Sequence, residues 1–381
     1  MKKKVLVLVL ISSVIFLVGC WNYIEMKDRT FVVGVGVDLV EDDLIEVTTQ
    51  LLKPHEIGVP AAGEPTPDAD PVWILSSQGE TVFDAVRNFV RQAGRKLFWQ
   101  YNNVVVFSEE VAREGILPFL DFFVREHELR LGQKLVISKG EAGDIVGAKH
   151  GLERIPSMAI VDMLEEEEAM GGIVNVDLFD FLEEVNSKAG APVVGTVENL
   201  EGARLDVEGG AVFKGDQLQG FLDKRETRGR NWVVGRVVSA IIVLEWEEDQ
   251  KLSVEILRTN SSIEPEFRDG RLVIKVEIET EGNLGEQQTA VDFTKLDRWY
   301  SLEKKLVNSI ENEIKDIIEL AQQEFRADIF GFADEVYRKY PQEWRRIEDE
   351  WEDEFASLEV VVDVEAKIRR PFIIRTFPSL D

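Results

Sequence analysis

The sequence predicts an α+β, mixed α/β architecture: three serial small domains whose mainly antiparallel or mixed sheets are flanked by helices. Three observations carry this. Short runs with apolar residues at every second position recur from residue 31 to residue 366, as half-buried strands require. Runs of helical period interleave with them, so that the first half reads strand, strand, helix, strand, helix, strand. The last third instead groups a hairpin, one long amphipathic helix and a closing strand. With 44% apolar and 30% charged residues over 381 positions, the composition is that of a folded chain. The expected divisions are a leader at 1–19, an N-terminal mixed α/β domain at 20–194, a small middle domain at 195–249, and a C-terminal α+β domain at 250–381.

The leader reads "MKKKVLVLVLISSVIFLVGCWN". Lys2, Lys3 and Lys4 precede an apolar run from Val5 to Val18, broken only by Ser12 and Ser13. A basic start, an apolar middle and a small residue at the cut form a secretory signal. The run is shorter than the roughly 20 residues that a membrane-spanning helix needs. The boundary Leu17-Val18-Gly19-Cys20 holds the one cysteine of the chain and resembles a bacterial lipobox. That resemblance implies that the Cys20 thiol receives a diacylglycerol and becomes the mature N-terminus. Two or three acyl chains exceed the two signals that stable anchoring takes. With Cys20 so used, no disulfide is possible and stability must come from packing.

Downstream, "RTFVVGVGVDLV" alternates Phe31, Val33, Val35, Val37 and Leu39, and "LIEVTTQLL" follows an acidic turn, which makes a hairpin. Gly34 and Gly36 mark a bulge or a close backbone approach. They fail as a nucleotide-binding signature, because no third glycine and no helix follow. Residues 53–79, with five prolines, read as a long loop. "TVFDAVRNFVRQAG" is a helix opened by Thr81 and Asp84 and stopped by Gly94. A strand at Val104–Phe107, a helix after Ser108 reset at Pro118, and a strand at 133–138 complete the first domain.

In the middle region, strands at Ala211–Lys214 and Gln217–Leu222 flank a turn, and a charged helix or loop carries Glu226 and Arg228, positioned to pair on the surface. The last region opens with a hairpin turning at "RDG". A long helix from about Ser301 to Phe325 follows, with Leu302, Leu306, Ile310, Ile314 and Ile317 on one face, expected to pack on its own sheet. Trp344, Ile347, Trp351 and Phe355 continue at helical spacing, and Val360, Val362, Val364 and Ala366 form the closing strand.

Composition and motifs narrow the function. Removing the leader takes three lysines from 44 basic residues, leaving 41 against 72 acidic ones. Such a surface is expected to repel nucleic acid and anionic headgroups. Nucleophile-elbow, phosphate-loop and zinc-protease patterns are absent. His55, His127 and His150 lack metal-site spacing, and Glu165 to Glu168 reads as a solvated helix end. The expectation is therefore a non-enzyme with no cofactor and no metal.

Four segments together resemble the C-subunit lipoproteins of spore germinant receptors, the Ger(x)C family. They are "GCWNYIEMKDRTFVVGVGVD", "RKLFWQYNNVVVFSEEVAREGILPFLDFFVREHELR" with Arg125, Glu128 and Arg130, "GGAVFKGDQLQGFLDKRETRGRNWV", and "DIFGFADEVYRKYPQEW". The resemblance implies a lipoprotein on the outer surface of the spore inner membrane, held by its N-terminal lipid. It implies assembly with A-type and polytopic B-type receptor subunits, in a complex that answers nutrients with ion and dipicolinate release. Whether this subunit itself binds a small molecule stays open. Glu226, Arg228 and Gly229, in the third segment, are the candidate assembly surface, set against a structural turn and salt bridge. The alternative is a lipid-anchored solute-binding protein of a transporter, which needs two lobes around a cleft.

Overall fold

A computed structural model describes residues 30–40, 44–53, 70–200, 204–247 and 249–369. The leader, Leu17, Val18, Gly19, Cys20 and most of the expected 53–79 loop lie outside the described residues.

Strand β1 (Thr30–Val40) is a central strand, buried on both faces along most of its length. It pairs antiparallel with β2 (Leu44–Leu52), which pairs antiparallel with β3 (Val72–Gly79). Residues 72–79 were expected as loop. Their apolar alternation is broken by Ser76, Ser77 and Gln78, and the strand is imposed by register with β2 from Leu52↔Val72 to Ile45↔Gly79. Helix α1 (Val82–Ala93) opens with the Thr81 hydroxyl accepting from Asp84 N–H and ends at left-handed Gly94. The short strand β4 (Leu97–Phe98) and then β5 (Val104–Ser108) lie parallel to β1.

Helices α2 (Glu109–Glu114) and α3 (Leu117–Arg125) lead to β6 (Lys134–Ser138). Next come α4 (Ala142–Gly147), α5 (Pro156–Glu165), α6 (Glu167–Met170) and α7 (Leu178–Val185). The sheet continues with β7 (Val193–Leu200), parallel to β6, then β8 (Arg204–Lys214) and β9 (Gln217–Leu222), both antiparallel. Its order is β3-β2-β1-β5-β6-β7-β8-β9, with β4 alongside β1.

Helix α8 (Lys224–Val233) leaves this sheet and leads to the second one. There β10 (Ala240–Glu247), β11 (Gln250–Arg268) and β12 (Arg271–Gln287) run antiparallel, turning between the last two at Asp269 and Gly270, both at positive φ. Helix α9 (Leu296–Leu320), extended by a π-helical turn at Ala321–Phe325, crosses over. After α10 (Phe332–Lys339), α11 (Pro341–Ile347) and α12 (Trp351–Ser357), β13 (Glu359–Ile368) docks parallel to β12. This is the βαβ-like unit that the sequence predicts, on a mostly antiparallel sheet.

The expected middle domain at 195–249 is not a unit of its own. Its strands up to Leu222 belong to the first sheet, and β10 belongs to the second. The segment is divided between its neighbours, with β9 forming the edge of the first sheet and β10 the edge of the second. The described strands form two sheets. One apolar core runs from Val35 and Phe107 through Phe213 and Trp232 to Ile310 and Ile274. A second, smaller core lies under α4 and α5.

Candidate functional site

Helix α8 carries the "RETRG" segment, and its sequence explains its start. Asp223 accepts from Glu226 N–H at 2.8 Å, and the Glu226 carboxylate accepts from Asp223 N–H at 2.7 Å, a reciprocal cap. Burial raises the Glu226 carboxyl above its ordinary pKa against the lowering effect of that bond. The side chain expected to pair with Arg228 is thus spent on the backbone. Residues two apart on a helix do not face one another, which is the physical reason the pair does not form.

Arg228 turns instead into α9. Its Nε donates to Glu313 Oε2 at 3.0 Å and a terminal nitrogen to Oε1 at 2.5 Å, a two-pronged contact. Glu313 is 4% exposed and also accepts from Trp232 Nε1 at 3.4 Å. Gly229 is buried at the crossing: a Cβ there would stand 2.6 Å from the Glu313 carbonyl oxygen. The next residues extend the joint in both directions. Fully buried Arg230 donates to the Ile329 carbonyl at 3.0 Å, and burial lowers its pKa to about 10. Asn231 donates to the carbonyls of Gly171 and Ile173 at 3.1 and 2.9 Å.

Of the candidate assembly surface, Arg228 and Gly229 are therefore part of an internal joint, with Gly229 inaccessible to a partner, while Glu226 stays half-exposed at the start of α8. Glu313, Arg230 and Asn231 were missed. Glu313 had a signal, since it lies three residues after Ile310 and four before Ile317, on a face otherwise apolar.

A second feature is a cavity of about 590 Å³ at the carboxyl ends of β1 and β5, beside the loop after β6. Here the chain leaves β5 through α2, which packs on one face with Val105 and Phe107, and leaves β6 through α4, which packs on the other with Val104 and Val136. Crevices of this kind are where open α/β sheets bind ligands. The walls include Asp38, Glu46, Glu109, Glu110, Glu141 and Asp144, with hydroxyls from Thr48 and Ser108. Asp38 accepts from the N–H groups of Ala142 at 2.6 Å and Gly143 at 2.9 Å, and burial pushes its carboxyl up to about 6. The two basic residues on the walls are paired, Arg113 with Glu109 and Lys139 with Glu198. The field is negative, suited to a cation or an amine and opposed to phosphate. Close backbone contact seals the floor, since a Cβ on Gly36 would stand 2.8 Å from the Ala142 carbonyl.

Among the described residues no group of three metal-binding side chains converges, and no helix is long and apolar enough to cross a membrane. His127 contacts Glu126 at the surface and His150 accepts from Glu153 N–H. His55 lies outside the described residues.

Two sheets in one core, with a negative crevice and a polar helix joint, define a non-repetitive α+β fold. Comparison with known proteins supplies the family. Residues 22–199 match the spore germination protein N-terminal domain, and residues 208–371 match the family described as spore germination B3/GerAC like, C-terminal. The chain belongs to the Ger(x)C family of spore germination proteins. It is 28% identical to spore germination protein KC of Bacillus subtilis (strain 168), over 97% of this chain and 96% of that protein. Spore germination protein A3 of the same organism is 25% identical, over 98% of each. The crystal structure of the GerBC protein superposes with a TM-score of 0.56, covering 88% of this chain and 97% of that one at 21% identity, and so shares the fold.

Proposed function

We propose that this chain is the lipid-anchored C subunit of a nutrient germinant receptor, acting through protein assembly and without catalysis. The observation that carries the reading is the pair of family matches, which run in order over nearly the whole chain. The anchor is Cys20, behind the lipobox residues Leu17, Val18 and Gly19. Its place is the outer surface of the spore inner membrane, beside A-type and polytopic B-type subunits. Confinement to that membrane raises its effective concentration near them, so modest contacts suffice. With Arg228 and Gly229 used internally, the docking surface lies elsewhere on the two-sheet body.

The test is dipicolinate release from spores of the source bacterium, intact, deleted for this chain, or carrying Cys20→Ala, across a panel of amino acids and sugars. Loss of the response to particular nutrients on deletion, and part or all of it in Cys20→Ala, is the expected result. Full responses in every strain, with redundant receptors also deleted, would overturn the reading. Fractionation of the same strains should move the Cys20→Ala chain from the membrane pellet to the supernatant.

The strand-end crevice favours a second reading, that the subunit itself holds a small cationic solute. It lies at the end of one sheet and not between two lobes, which departs from the usual solute-binding plan. Saturable heat of binding of an amine-bearing nutrient to the purified chain, lost in Asp144→Asn, would support it.

A further inference from the structure

The first sheet is electrically and chemically polarised along its strands. At the carboxyl ends stands the acidic crevice. At the opposite end, where β1 begins at Thr30, basic, aromatic and apolar side chains gather beside a few carboxylates. Residues 85–108 contain no aspartate or glutamate in a protein that has 72 of them, and they carry Arg87, Arg91, Arg95 and Lys96. Helix α1 runs antiparallel to the strand before it, so Arg91, Arg95 and Lys96 are delivered to the starting end of β1, all exposed. There Thr30 and Phe31 pair with Leu97 and Phe98.

Three aromatic rings meet at this end. Phe31 stands 5.8 Å from Phe98 and 5.4 Å from Tyr101, and Tyr101 is 52% exposed. A loop beside them points an apolar residue outward. Residues 148–155 leave α4 at Val146, whose carbonyl accepts from Gln50, and return at Ser157, packed on Gly34. Within that loop Leu152 is 91% exposed, between exposed Lys149 and Arg154. Acidic groups nearby include Glu126, in contact with His127, Glu128, which pairs with Lys96 at 3.2 Å while leaving that lysine 63% exposed, exposed Glu153 next to Leu152 in the loop, and exposed Asp70 before β3.

We infer that this end of the first sheet is a membrane-facing surface that lies on anionic phospholipid headgroups. Exposed aromatic and leucine side chains beside lysine and arginine are the composition of an interfacial contact. The covalent geometry agrees. Nine residues lie between Cys20 and Thr30, ten backbone steps with a reach of at most about 36 Å, and the chain enters the fold at this end. The net charge of the whole chain does not describe this surface, because the acids are concentrated elsewhere and interactions beyond a Debye length of roughly 8 Å are screened. The acidic crevice then opens away from the bilayer.

This inference rests on the anchored reading, and the two are separable. In the mature chain, residues 20–381, Cys20 is the one thiol, so it can be coupled to a maleimide lipid whether or not the native protein is acylated. The coupled chain is placed on vesicles of phosphatidylcholine or of phosphatidylglycerol and pulsed with an acetylating ester, and lysine labelling is read by mass spectrometry. Lys96 and Lys149 should be labelled at least about threefold more slowly on phosphatidylglycerol, an effect that closes in high salt. Lys139 and Lys275 should be unaffected. The variant Arg91→Gln/Tyr101→Ser/Lys149→Gln, checked for an unchanged thermal melt, should lose the protection of Lys96. Equal labelling on both vesicles, protection at Lys139 instead, protection that survives in the variant, or protection that appears only when a membrane protein partner is added would each overturn the inference. Failure of the anchored reading shows differently, as a free Cys20 thiol in protein taken from cells.

Discussion

Replacing Arg228 by methionine should expose how much the α8–α9 joint contributes. The substitution keeps the length of the side chain and removes the guanidinium, leaving Glu313, 4% exposed, without its two-pronged partner. Stranding one member of a buried ion pair costs about 3–5 kcal/mol in general. Trp232 Nε1 at 3.4 Å and Arg225 at 3.7 Å remain beside the carboxylate, which puts the expectation at the lower end, about 3 kcal/mol. At about 2–4 °C per kcal/mol, the melting temperature should fall by roughly 6–12 °C. Urea unfolding followed by circular dichroism measures this directly. The double variant Arg228→Met/Glu313→Leu should return to within about 1 kcal/mol of the parent, because no buried charge is left uncompensated. Arg225→Met, which removes a 57% exposed partner, should cost under about 1 kcal/mol. A loss under about 0.5 kcal/mol for Arg228→Met, or a double variant no better than the single one, would refute the assignment of this pair as the fastening of the joint.

Three further outcomes concern close packing, a hairpin turn and a buried carboxyl. Gly229→Val places carbon against the Glu313 carbonyl oxygen and Ile317 Cγ2, where even a Cβ would stand 2.6 and 2.9 Å away, and should cost about 1–3 kcal/mol or more in a urea titration. Gly270→Ala at the hairpin tip, strained by its positive φ yet meeting no neighbour, should cost less. Buried Asp328 accepts from the N–H groups of Phe330, Phe332 and Ala333, yet burial holds its carboxyl up at about 6, against 3.8 for the free group. Between those values the folded state keeps a proton that the unfolded state has lost, so this group's contribution is fullest below about pH 4 and declines as the pH rises to 6. The stability of the parent minus that of Asp328→Asn should accordingly fall by up to about 3 kcal/mol from pH 4 to pH 7, and a difference that is flat or rises with pH would contradict it.

Much of this architecture was legible because its signals are local. The alternation in residues 31–39 and 272–278, the caps at Thr81 and Gly94, and the apolar stripe of α9 each specify an element without reference to the rest of the chain. Gly34 and Gly36 announced a close approach, and α5 and α4 do press on them through Ser157 and Ala142. What was not legible depends on distant pairing. Residues 72–79 lack alternation and become a strand through β2, and residues 193–222 give no sign of which sheet they will join. The joint was misread for a related reason. Glu226 and Arg228 are close in sequence, but helix geometry sends one to the backbone of Asp223 and the other to Glu313, 85 residues further on. The leader remains a matter of sequence alone.

The hairpin of β7 and β8 has a practical consequence for exchanging parts between relatives. The two family matches meet between residues 199 and 208, which falls inside this hairpin, where Val193↔Val212 through Leu200↔Arg204 are paired. A chimera joined there would assemble the β7–β8 ladder from two parents and set foreign side chains against each other across it. Joining after Val234, in the segment that leads from α8 to β10, keeps every strand of the first sheet with its own neighbours. The α8–α9 contact around Gly229 and Glu313 would then have to match, together with the other contacts that cross the junction, such as Arg230 with the Ile329 carbonyl and the Lys188 N–H with Asp334.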